Sequence, residues 1–345
     1  MFLGLISAFF LRINNYFFTY NVYLLNSLYA YTSYLFRNNY SLYRYNGQNE
    51  NHGLLYINNL KKVGALMREV KKVATINDLS GVGRCSLTAT IPILSALGVQ
   101  CCPYPTAVLS CHTGFNQYTF LDITDEMVKY KDSWKTLGIN FDCIYSGFLG
   151  SEKQIDIVLD FVNERDNTLV VVDPVMGDNG VKYDTFTNSM CSKMKHLVSV
   201  ANIVTPNLTE ACILTGEEYD KYNTSDEKVI EICKKISNLG PEKVIITGII
   251  KENNIYNYAY DKEKNEIFKV KSKFNHESYS GTGDVFTSII IGLLMNNHDL
   301  NYAIKHATDF IYKVIEFTSK FKTDTNEGIM FEAFLKELIL INEYK

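Results

Sequence analysis

The 345-residue chain has no Gly-x-x-x-x-Gly-Lys-Ser/Thr segment, which excludes a P-loop phosphate cradle. Its nearest approach to a dinucleotide fingerprint, Gly81-Val82-Gly83, has Ser86 where a third glycine belongs, so nicotinamide chemistry is poorly supported. Basic charge is not in excess: 34 Lys and Arg against 38 Asp and Glu leave a formal −4, which argues against non-specific nucleic-acid binding. The eight cysteines contain no Cys-x-x-Cys pair and fall mainly in apolar segments. They read as reduced, mostly buried thiols of a cytoplasmic protein. Long apolar runs are missing too. Residues 2–11 are apolar, but the run stops at Arg12, too short to span a membrane and without the basic start or small-residue cleavage site of a secretory signal.

Acid is scarce in residues 1–66, which hold Glu50 alone, yet carry ten of the 24 tyrosines and many asparagines. This Tyr/Asn-rich stretch reads as a flexible extension, a weak membrane-associating segment or translated upstream sequence. An extension outside the fold is the preferred expectation, with no obligate membrane role and with Met67 as a more natural start. No Pro- or Ser-rich linker interrupts 67–345, so that stretch is expected to be one domain.

From residue 70 onward, strand-like and helical segments alternate. Strands are predicted at 70–78, 99–109, 141–146, 168–172, 203–205 and 244–247, and helices at 84–97, 123–137 and 152–164. Thr168-Leu169-Val170-Val171-Val172 is apolar throughout, as in a parallel strand buried on both faces. An edge hairpin is expected from 256–260 and 267–271, and two closing helices at 301–318 and 331–341. The pattern predicts an α/β fold with a central, mainly parallel sheet covered on both sides.

The most informative stretch is 280–288. Gly281, Thr282 and Gly283 precede Asp284 at the mouth of an apolar helical run, 285–295. A helix start offers unpaired N–H groups and the positive end of the dipole, and glycine lets an anion reach them. Asp284 would then accept a proton from an attacking hydroxyl. Asp78, Asp173, Asn207 and Thr247 also fall at or just past predicted strand ends, the edge where open α/β sheets bind ligands. Asp173 and Asp178 share one loop and could organise cations. Asn207 and Glu210 read as part of a hard-cation site, with a helix capping box as the alternative.

Together these residues resemble the ribokinase-like superfamily and, within it, the vitamin B6 kinases, over nearly all of 70–335. The resemblance rests on 76–83, 106–114, 146–150, 173–178, 205–210 and 281–284, in the family's order. It implies a three-layer α/β/α fold, a kinase domain over 67–345 and ATP-dependent phosphorylation of the 5'-hydroxymethyl group of pyridoxal, pyridoxamine or pyridoxine. It implies Asp284 as base, with Gly281, Thr282 and Gly283 as the anion hole. Asp78, His112, Thr113 and Phe148 would meet the substrate, His112 having a structural alternative as a loop histidine. Asp173, Thr205, Asn207 and Thr247 would serve the nucleotide, with Asp178 and Glu210 at Mg²⁺. A monovalent cation and a homodimer are further implications. Phe148 stands where many members have tyrosine, and Asp78 replaces a common serine, so the vitamer preference is open. The nearest alternative is a hydroxymethylpyrimidine (phosphate) kinase or a dual-specificity enzyme. That family typically has cysteine where Asp284 stands.

Overall fold

The shortest apolar segments pair in the middle of the sheet, where neither face meets water. A computed structural model describes residues 69–221 and 223–343, which fall in one compact unit. The expectations for 1–66 lie outside these residues. The strands are β1 (Lys72–Val82), β2 (Gln100–Cys111), β3 (Phe120–Asp122), β4 (Cys143–Ser146), β5 (Leu169–Val172), β6 (Gly177–Asp178), β7 (Val181–Lys182), β8 (Ile203–Val204), β9 (Lys243–Lys251), β10 (Asn254–Asp261) and β11 (Glu266–Lys273). Nine of them form one sheet in the order β11-β10-β9-β8-β5-β4-β1-β2-β3, and β6 pairs with β7 alone. From β9 to β2 every pairing is parallel. Antiparallel strands close both edges, β10 and β11 on one side and β3 on the other.

Nine α-helices among the described residues cover this sheet: α1 (Ser86–Ala96), α2 (Thr124–Thr136), α3 (Glu152–Asn163), α4 (Asn188–Ser199), α5 (Leu208–Thr215), α6 (Asp226–Ser237), α7 (Thr282–Met295), α8 (Leu300–Thr318) and α9 (Leu335–Glu343). Strand alternation sorts them into two layers. Ile144, Val170, Val172 and Ile246 pack with α2 to α6, whereas Cys143, Tyr145, Val171 and Ile245 pack with α1, α7, α8 and α9. The result is the expected three-layer α/β/α arrangement. Helix α7 is mainly apolar and buried from Val285 to Leu293, as a helix roofed by neighbours should be, with the hydroxyls of Thr287 and Ser288 hydrogen-bonded inside. Its contact with α1 is close enough that a Cβ on Gly292 would stand 2.3 Å from the Leu97 side chain.

The edge hairpin lies where expected, but several bounds differ. β1 continues past 78 because β2 pairs with it as far as Cys111, across a register shift between Asn77 and Leu79. β9 outruns 247 because antiparallel β10 supplies partners that a parallel neighbour would not. The last helix starts at Leu335, after a 3₁₀ turn at Phe331–Phe334. The chain leaves β1 for β2 on one side and then returns to β4 on the other. That reversal puts the switch point of the sheet between β1 and β4, where carboxyl-end loops open a crevice. Among the described residues, no helix is long and apolar enough to cross a membrane.

Candidate active site

Four loops and one helix start converge on this crevice. Gly281 caps α7 in the left-handed region (φ 77°), and among the described residues no side chain accepts from the first N–H groups of the helix. An added Cβ there would stand 2.1 Å from the Arg84 carbonyl oxygen, so glycine is required for the chain to pass. Gly283 needs no unusual φ, but a Cβ on it would point toward Asp173. The Thr282 hydroxyl donates back to the Tyr279 carbonyl and so leaves the cradle to main-chain donors.

Asp284 lies in the first turn of α7 and also faces the start of α1. Ser86 N–H donates to its Oδ2 (2.8 Å), Asn77 Nδ2 to its Oδ1 (3.0 Å), and the Tyr145 hydroxyl reaches Oδ1 at 3.5 Å. Burial lifts this carboxyl to about 6, opposed by the Ser86 N–H and the Asn77 amide and reinforced by the charge of Asp78. Tyr145 is fully buried and its phenol is pushed well up, so it stays protonated as a donor. Ser86 holds φ 48°, and this strained residue aims its N–H at Asp284. Val175 does the same beside Asp173: at φ 42° it donates its N–H to that carboxylate.

Further acids line up behind. Asp173 is raised well above the usual carboxylate range, first by burial and then by the charges of Glu210 and Asp284. Glu210 rises to about 8 by burial, although N–H donors from Asn207 and Met176 pull it down. Asp178 is exposed and accepts from the Asn179 N–H and side-chain amide. Every donor named to Asp78, Asp173, Glu210 and Asp284 is neutral. No group of three or more His, Cys, Asp or Glu among the described residues is arranged to hold a metal unaided. Asp173 and Glu210, held toward their neutral forms by burial, suit a cation that brings its own oxygen ligands.

The expected site residues divide by how they are engaged. Asn207 and Glu210 form the capping box of α5, and Asn207 Nδ2 also donates to the Gly177 carbonyl (2.8 Å). Asn207, just past the end of β8, forms a parallel bridge to Thr247 in the interior of β9. Phe148, half-buried after β4, uses its N–H on Asn77 and its carbonyl on the Thr106 hydroxyl. Three residues are committed inward. Both oxygens of Asp78, a residue 5 % exposed, accept serine hydroxyls, from Ser80 (2.7 Å) and Ser86 (2.5 Å). The Thr205 hydroxyl accepts from Thr287 on α7. Both nitrogens of His112 are engaged: Nδ1 accepts the Gly114 N–H, so Nε2 carries the proton and donates to the Asn326 carbonyl (2.6 Å). That matches the loop-histidine alternative, with Thr113 exposed beside it. Asn77, Ser86, Tyr145 and Tyr183 escaped the sequence reading. Tyr183 is 41 % exposed, and its phenol is held up by desolvation on the side facing the loop and by the charges of Glu210, Asp178, Asp173 and Asp284. A tyrosine just beyond the Asp173–Asp178 loop was its single signal.

Comparison with known proteins bears directly on this cleft. The family model described as phosphomethylpyrimidine kinase matches residues 83–330. Pyridoxine kinase of Bacillus subtilis (strain 168) is 30% identical over 186 residues, covering 52% of this chain and 66% of that protein, just under two thirds of its length. Pyridoxal kinase of Ovis aries is 25% identical over 285 residues, 74% of this chain and 88% of that one. A candidate phosphomethylpyrimidine kinase from Bacteroides thetaiotaomicron, solved in a crystal form with pyridoxal, superposes with a TM-score of 0.76. It shares 45% identity over 78% of this chain and 96% of its own. The matched segment contains both the α7 cradle and the acids behind it, and the chain belongs to the phosphomethylpyrimidine kinase family.

Proposed function

We propose that this protein transfers the γ-phosphoryl group of ATP to the 5'-hydroxymethyl group of a B6 vitamer. One observation carries the reading: an uncapped, glycine-lined helix start with an ionisable carboxylate in its first turn, at the sheet's switch point. Phosphoryl transfer asks the protein for alignment and charge stabilisation rather than covalent chemistry. The substrate oxygen forms its bond to the γ-phosphorus as the bond to the β,γ-bridging oxygen breaks and ADP leaves. Asp284 takes the hydroxyl proton and later returns it to solvent. The α7 amides of Thr282 and Gly283 bear the charge growing on the phosphoryl oxygens. Asp173, Asp178 and Glu210 would hold Mg²⁺, partly through water, because both Glu210 oxygens already accept main-chain N–H groups. When bound, Mg²⁺ offsets the charge of the phosphates. Asn207 and Thr247 would border the nucleotide, and Phe148 would stack on the ring.

Two further parts of the reading concern the protein's setting. A homodimer is supported by apolar Phe120 and Leu121, exposed at the free edge of the sheet. Eight free cysteines fit a reducing compartment such as the cytoplasm.

The family model's own description favours a second reading, hydroxymethylpyrimidine (phosphate) kinase or dual specificity. Comparing kcat/KM for pyridoxal, pyridoxamine, pyridoxine and hydroxymethylpyrimidine with Mg²⁺·ATP separates the two. A vitamer is expected to lead, and hydroxymethylpyrimidine leading by tenfold or more would replace the reading.

A further inference from the structure

Asn77 is fully buried and every polar atom of its amide is used. Its Oδ1 accepts two main-chain N–H groups, from Phe148 (2.9 Å) and from Asp78 (3.1 Å). Its Nδ2 donates to Asp284 Oδ1 (3.0 Å). These partners fix which end is oxygen. Turned over, the NH₂ group would face two N–H donors, and the carbonyl oxygen would face a carboxylate. The amide also has no room to move, because a Cβ on Gly147 would lie 2.4 Å from Nδ2. Glycine at 147 leaves the space that the Asn77 amide fills.

We infer that Asn77 is a positioning residue: it fixes the carboxylate of Asp284 and ties that carboxylate to the Gly147–Phe148 loop across the switch point. The inference rests on the phosphoryl-transfer reading and adds how the base is aimed. A substrate pressing on Phe148 acts on the main chain whose N–H is held by Asn77, and the other end of that amide holds Asp284. Acceptor binding and the orientation of the base are therefore linked through one rigid side chain. Ser86 N–H holds the second carboxylate oxygen, so the pair leaves Asp284 little torsional freedom. Both hydrogen bonds also favour the ionised form of Asp284 against the cost of burial.

The test is Asn77→Asp. It keeps an acceptor for the Phe148 and Asp78 N–H groups but turns an oxygen toward Asp284. The first readout does not need turnover. The ¹³C carboxyl resonance of Asp284, assigned by its loss in Asp284→Asn, is titrated in the wild-type protein and in Asn77→Asp. Its midpoint is expected to rise by about one unit or more, since two carboxyls 3 Å apart cannot both ionise freely. The second readout is kinetic. At pH 7 kcat is expected to fall about 10²-fold, with the acid limb of the pH profile displaced upward and KM for Mg²⁺·ATP changed less than about threefold. Gly147→Ala, which pushes the amide off Asp284, should lower kcat in the same way. Should Asn77→Asp fold poorly, Gly147→Ala carries the same titration. An Asp284 midpoint that stays in place in the folded variant, with kcat within threefold of wild type, overturns the inference. If the wild-type chain phosphorylates no vitamer, the proposed function fails, and the titration still decides Asn77.

Discussion

Oδ2 of Asp173 lies 3.5 Å from the point where a Cβ on Gly283 would stand, so a buried carboxylate and a helix amide share one side of the cradle. Gly281, two residues earlier, is glycine for another reason: it holds φ 77° against the Arg84 carbonyl. The two glycines should therefore fail differently. Gly283→Ala should leave stability within about 1 kcal/mol, because alanine suits a helix, and lower kcat about 10²-fold by filling the phosphoryl's approach. Gly281→Ala should cost about 2–4 kcal/mol of stability through strain and overlap. Denaturant melts beside steady-state kinetics would read both. The reverse pattern would mean that the cradle is structural only.

Asp284→Asn removes the proton acceptor and leaves the α7 amides in place. Turnover should fall by about 10²–10⁴-fold, with KM for either substrate changed little. In the wild-type protein kcat/KM should climb with pH through about 6, where Asp284 gives up its proton. Near-normal kcat in the variant, or a flat profile across that range, would remove Asp284 from the role of base.

Much of this was legible in the sequence because it depends on neighbours along the chain. The apolar run from Val285 could only be a helix buried on all sides, and the glycines before it could only open its N-terminus. Leu169–Val172 could only lie inside a parallel sheet. Asn77 was opaque, since its meaning comes from Asp284, 207 positions away, and from Phe148, 71 positions away. Thr205 does lie just past β8, whereas Asp78 falls inside β1 rather than at its end, and which way a hydroxyl or carboxylate turns is decided by the helix packed above it. Strand β3 had no signal of its own: its three exposed residues pair only because β2 runs long enough to meet them. For Asn207 and Glu210 both readings were available, and the capping box is present.

Thr205 offers a direct contrast between lining a groove and supporting one. The residue is 3 % exposed and its hydroxyl receives the Thr287 hydroxyl at 3.0 Å, joining the end of β8 to α7. Thr205→Val keeps the shape and leaves the Thr287 donor without that acceptor. A loss of about 1–3 kcal/mol is expected, with KM for ATP unchanged. A large rise in that KM at unchanged stability would instead put Thr205 against the nucleotide.

The elevated Asp284 also sets a cost that depends on pH. Folding raises this carboxyl from about 3.9 in an unfolded chain to about 6. The folded protein therefore holds the proton more tightly, and stability falls as pH rises between those values. Below about pH 4 the group is neutral in both states and the penalty vanishes, while above about 6 it is constant. Asp284→Asn is neutral at every pH, so it should stabilise the protein at pH 8 by about 1–2 kcal/mol, discounted for partial exposure, and by almost nothing at pH 4. Thermal melts of the two proteins at both pH values test this. A gain of equal size at pH 4 would mean that it comes from packing rather than from ionisation. A loss at pH 8 would mean that the Ser86 and Asn77 hydrogen bonds outweigh the burial of the charge, and the catalytic limb would then lie well below 6.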